Sequence, residues 1–235
     1  MASAPSDPRR GDRVNENPAS GQVGDVASRI AQRSLAKRGA GYADEVRRLL
    51  DAALGVMKRR GTTSRPRVAD IVTAAGLSND AFYRHFPSKD ALVAALLEDG
   101  TERLYSYVAH QMGKEPTPEG KVYRWVRSVL SQAYAESAAT TRAVLWNAGA
   151  VSEIIGSAPP VPSDRLAELL REPLRELGSA DPAFDASLAA YTAFGKLGSY
   201  VWSETQPTDH DTERITAFCL RALTPPHAQS AVSKA

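Results

Sequence analysis

Asn79, Asp80, Tyr83, Arg84 and His85 bring an amide, a carboxylate, a phenol, a guanidinium and an imidazole into one short stretch of chain. These groups donate and accept hydrogen bonds. A short helix that turns them outward while packing Ala81, Phe82 and Phe86 inward fits the major groove of DNA. The residue types do not suggest catalysis. His85, His110, His210 and His227 lie in different segments, and none stands in a metal-binding pattern with acidic partners. There is no phosphate-cradling glycine loop and no serine nucleophile elbow. No enzyme activity, cofactor or metal is expected. The rival class is a helical enzyme whose carboxylates meet only in space.

The elements that would position this group are readable from helical spacing. From Asp44 to Arg60 the apolar positions Val46, Leu49, Leu50, Ala53, Leu54 and Met57 recur at that spacing, and Gly61 ends the segment. A second helix is expected from about Arg67 to Ala75, with Val68, Ile71, Val72 and Ala75 inward. Gly76 takes the sharp turn, Leu77 fills the angle between helices, and the Ser78 hydroxyl caps a third helix over Asn79–Phe86. Pro87 closes that helix and Ser88 caps a fourth.

The stretch Val68–Leu96 resembles the N-terminal domain of the TetR family of bacterial regulators. The resemblance rests on Ile71-Val72, Ala75-Gly76-Leu77-Ser78, Phe82-Tyr83-Arg84-His85-Phe86, Ser88-Lys89 and Leu92. It implies a helix-turn-helix domain over residues 44–104, with its motif at about 67–86, in a one-component transcriptional regulator. By this resemblance Tyr83, His85 and Lys89 contact phosphates, and Asn79, Asp80 and Arg84 read bases, with Ala81 able to meet a thymine methyl. Asp80 lies four residues before Arg84, and orienting that guanidinium is the role favoured for it. The chain departs from the family at the second helix, where Arg67 stands in place of a capping Ser or Thr. Either Ser64 is the cap or Arg67 takes over the phosphate contact. The expected function is a repressor released from a near-palindromic operator by a small-molecule effector. A transcriptional activator and an architectural DNA-binding protein are the alternatives.

Charge agrees with a polyanion at one end. The 235-residue chain has a net charge of +2, but residues 1–90 hold 16 basic and 10 acidic side chains, whereas the rest is acidic. Residues 1–24 are rich in Pro, Gly, Asn, Ser and Asp and read as a disordered tail, as does 226–235. Residues 25–43 form a basic extension, with a short helix over Asp25–Arg38 that Gly39 and Gly41 would stop. An arm carrying Arg29, Arg33, Lys37 and Arg38 could enter a minor groove, or it is simply an exposed basic helix. With one cysteine, Cys219, and no signal-like or membrane-length apolar segment, a cytoplasmic protein is expected.

Beyond residue 105 the reading is again all-α. Helices are expected at about Ser88–Met112, Thr117–Glu136, Thr140–Ile155, Ser163–Leu177, Asp181–Glu204 and Thr208–Leu223. They are too apolar on one face to stand alone and should pack as a bundle over 105–225. The resemblance implies that the middle helices enclose an effector pocket and that the last two pair with a second subunit. Trp125, Tyr134, Arg142, Trp146 and Asn147 suit a small-molecule site. Ala190, Phe194, Leu197, Val201, Ile215 and Phe218 are the candidates for a homodimer face.

Overall fold

The computed structural model describes residues 19–155 and 162–222, and side chains over most of residues 39–221. It is helical throughout, with no strand among the described residues. The helices are α1 (Ala19–Arg60), α2 (Val68–Ala75), α3 (Asn79–His85), α4 (Lys89–Met112), α5 (Pro118–Leu130), α6 (Ala135–Ile155), α7 (Pro162–Ala167), α8 (Arg171–Glu176), α9 (Pro182–Ser203) and α10 (Asp209–Ala222). The expected tails at 1–18 and 226–235 lie outside the described residues. The chain divides into two compact units, 1–45 and 46–235.

Three sequence expectations differ from what is found. α1 runs unbroken through Gly39 and Gly41, and so includes the last part of the expected tail. A glycine inside a helix costs only about 1 kcal/mol. Neither glycine takes the left-handed conformation that caps a helix, which falls instead at Gly61 with φ of 56°. The expected Thr117–Glu136 helix stops at Leu130. A 3-10 turn over Ser131–Ala133 follows, and Tyr134 is extended at φ −73°, ψ 154°. The Ser131 hydroxyl donates to Ser128 O at 2.7 Å, a local bond that competes with the helix ladder. The expected Ser163–Leu177 helix breaks into α7, a 3-10 turn and α8. Pro173 has no N–H and is tolerated in the first turn of α8, so a fresh helix starts just before it.

Within residues 46–235 there are two apolar cores. The first joins Leu49, Ala53 and Met57 of α1 to Ile71, Val72, Phe82, Phe86, Leu92, Val93 and Leu96, and takes in Ala143 and Ala148 of α6. The second gathers Val108 and Met112 of α4 with Trp125, Val126, Val129, Leu166, Leu170 and Leu174, and the inner faces of α9 and α10. α4 therefore contributes to both cores without interruption. Cys219 lies in the second, where burial pushes its thiol up to about 11 and keeps it unreactive.

Candidate nucleic-acid interface and C-terminal clefts

The turn before α3 is built by backbone chemistry that the sequence spells out. Gly76 adopts φ 63°, ψ 38°. Its N–H donates to Thr73 O at 3.2 Å, and Leu77 N–H donates to Val72 O at 2.9 Å. This pair of bonds is the Schellman closure, which satisfies the last carbonyls of α2. Ser78 then accepts from Ala81 N–H at 3.1 Å through its side-chain oxygen, and Ser88 accepts from Ala91 N–H at 3.1 Å at the start of α4.

Two arginines not singled out from the sequence hold this arrangement. Arg48 reaches from α1 and donates to Ala75 O at 2.6 Å and Gly76 O at 3.1 Å. A cation at that carbonyl end of α2 also opposes the negative end of the helix dipole. Arg60 pairs with Asp70 at 2.8 Å and donates to Arg65 O at 3.1 Å, tying the α1–α2 loop to α2. The question of the α2 cap is thereby answered. Arg67 is the N-cap residue, and the Asp70 carboxylate accepts its backbone N–H at 3.0 Å. Ser64 instead accepts from Arg60 at 3.5 Å. The Arg67 side chain is exposed. Arg48→Met should keep the aliphatic stem and lose the cap, lowering stability by about 1 kcal/mol in denaturant unfolding. An unchanged midpoint would contradict the capping role.

α3 has a buried back and an exposed front. Ala81 and Phe82 are buried, and Phe86 closes the helix from below. Asn79, Asp80, Tyr83 and Arg84 are exposed, and His85 is half-buried. The Tyr83 ring stands edge-on to Phe82 at 5.2 Å between centroids, which fixes the phenol although its side is 58% exposed. Lys89 opens α4 beside them, and Ser78, also exposed, keeps its hydroxyl proton for donation. Ala81, the residue expected to meet a thymine methyl, is only 4% exposed.

The five effector candidates are not brought together. Trp125 is fully buried in the second core, its indole N–H donating to Leu166 O at 2.9 Å. Asn147 is buried and donates to Ala143 O at 2.8 Å. Arg142 pairs with Glu204 at 2.8 Å and caps the carbonyl end of α9. Trp146 lies under the Arg65 guanidinium, 5.6 Å from its ring centroid. Tyr134 alone of the five lines the cleft between α4, α5 and the start of α6. That cleft, of about 500 Å³, also takes in Tyr107, Arg124 and Arg127.

The dimer candidates fall into two groups. Ala190, Leu197, Val201 and Ile215 are buried within their own chain, and Phe194 packs partly against the same core. Phe218 is exposed, together with Phe184, Leu188, Tyr191 and Trp202 on the opposite face of α9. The positions 184, 188, 191, 195, 198 and 202 follow the alternating four- and three-residue step of a helix–helix seam. Gly195 and Gly198 leave open space at its centre.

Comparison with known proteins agrees with this architecture. Residues 49–96 match the family described as bacterial regulatory proteins, tetR family. No curated protein matches the chain. Among solved structures, a TetR-family transcriptional regulator from Mesorhizobium loti is similar at a TM-score of 0.59 and 17% identity, over 77% of this chain and 96% of that one. One from Pectobacterium atrosepticum is similar at 0.56 and 25% identity, over 78% and 92%. RolR in complex with the ligand resorcinol is similar at 0.54 and 17%, over 81% and 93%. Residues 49–96, with the helix-turn-helix built around Gly76, are thus a domain of the TetR type, joined to a helical bundle whose fold is similar to that of TetR-family transcriptional regulators.

Proposed function

We propose that the protein is a homodimeric repressor that holds a near-palindromic operator and releases it when a small molecule binds the bundle. The observation that carries this reading is α3, a short helix pinned from behind by Phe82 and Phe86 and presenting Asn79, Asp80, Tyr83 and Arg84 outward. Asn79 and Arg84 are the base readers, Arg84 by the two-pronged contact that guanidinium makes with guanine, and Asp80 orients Arg84. Tyr83, His85, Lys89, Ser78 and Arg67 bind phosphates, helped by the positive amide end of α4.

The seam on α9, extended by Phe218, suits a second copy of the chain. Large exposed apolar side chains in a row mark an interaction surface, and a symmetric pairing of α9 and α10 buries the same patch twice. Two copies set two α3 helices into successive major-groove faces, about 34 Å apart. Release then needs a ligand that favours a bundle arrangement in which this spacing is lost. RolR, a relative in fold, carries a ligand of its own.

Two sets of substitutions separate the roles on α3. Arg84→Ala should cost about 1–3 kcal/mol at the operator and relax one base position, read by binding to a set of single-base operator variants. Tyr83→Phe and Lys89→Ala should instead weaken all sequences alike, and Lys89→Ala, which removes a cation, should also flatten the salt dependence. A loss confined to the operator would contradict the phosphate roles.

A further inference from the structure

We propose that the cleft between α4, α5 and the start of α6 is the effector site and that it takes a small organic anion, gripped by Arg127. The proposal rests on the reading of the protein as an effector-responsive regulator and names the ligand class. At about 500 Å³ the cleft has the size of a metabolite pocket. Its walls are unlike the apolar lining common in such pockets. Every lining side chain carries a polar group, two are guanidiniums, and none is a carboxylate. A ligand held there is recognised by hydrogen bonds and charge, and the charge that complements the cleft is negative.

The two arginines differ in their availability. Arg124 is engaged by Glu115 at 2.5 Å, and that carboxylate holds its guanidinium firmly in the charged form. Arg127 faces Asp209 at 3.7 Å, beyond hydrogen-bond reach, with both groups well exposed to water. Such a contact is worth little, so a carboxylate or phosphate can draw the Arg127 fork away from Asp209 at small cost. Ser128 beside it is only 3% exposed and forms the floor, while Tyr107 and Tyr134 add flat walls.

The position of the cleft gives binding a consequence. Tyr107 lies on α4 and Ser137 near the start of α6. Further along α6, Ala143 and Ala148 join the DNA-binding core, and Trp146 supports Arg65 of the α1–α2 loop. An occupant that draws on both helices acts on two elements that enter that core.

Calorimetric titration of the full-length protein tests the proposal, with benzoate, inorganic phosphate and the neutral isostere benzamide as probes. Saturable binding of benzoate or phosphate, without benzamide, is expected, and whichever binds assigns carboxylate or phosphate. Arg127→Gln should weaken that binding at least about tenfold. Asp209→Asn, which keeps the guanidinium and removes the negative charge of its exposed neighbour, should bind at least as tightly as the parent. Equal affinity for benzamide, undiminished affinity in Arg127→Gln, or no saturable binding of either anion up to about 10 mM overturns the proposal. Operator binding measured alongside keeps the two readings apart. An anion that binds through Arg127 and leaves operator affinity unchanged supports the anion site and removes its effector role. Operator release by a neutral compound in Arg127→Gln keeps the effector reading and overturns this site as its seat.

Discussion

Replacing Leu188 with glutamate is expected to convert the protein to a monomer and to lower operator affinity by about 100-fold or more. Leu188 stands on the α9 seam and is 48% exposed, so the change leaves the chain's own core alone. In a symmetric dimer the new carboxylate meets apolar surface twice, and an unpaired charge buried there is costly. Much of a dimer's hold on a two-part operator comes from the second half-site binding at high effective concentration, which a monomer forfeits. Light scattering should show half the mass, with helical circular dichroism unchanged. A dimer that persists in Leu188→Glu would move the pairing face elsewhere.

The second large effect is expected at Phe82. Its ring is fully buried between α1, α2 and α4 and contacts both Tyr83 and Phe86, whose centroids lie 5.2 and 5.9 Å away. Phe82→Ala should cost about 3–5 kcal/mol, combining lost transfer energy with the cavity left behind. For a DNA-binding head of this size that is most of the available stability. Binding to every DNA sequence should fail together, with the loss following the unfolding transition. A stable Phe82→Ala protein that still binds DNA would mean that α3 is not held by this core.

What the sequence made legible is what depends on near neighbours. Gly76, Ser78 and Ser88 each act within a few residues of themselves, so their turn and caps followed from residue type and spacing alone. Arg48 and Arg60 act across the fold. Arg48 spans 27 residues to Ala75, and nothing in the local pattern distinguishes it from the neighbouring basic residues. The α9 seam shows a different limit. Both faces of this helix are apolar, and Ala186, Ala190 and Ala193, whose small side chains let helices approach closely, turn inward with Leu197 and Val201, while Phe184, Leu188, Tyr191 and Trp202 stay outside. Periodicity gives the angle between two faces but not which of them meets the core. The same holds for Trp125, an aromatic with a polar handle whose N–H is satisfied by a backbone carbonyl of α7 rather than by a ligand.

Selection of genomic fragments by the full-length protein, run in parallel with Arg84→Ala, tests the central claim most directly. The claim is that α3 reads DNA in two symmetric copies. The parent should enrich a near-palindrome with half-sites about one helical turn apart, and Arg84→Ala should lose one base preference in each half while keeping the spacing. Fragments with no shared motif, or the same base preferences with and without Arg84, would contradict it.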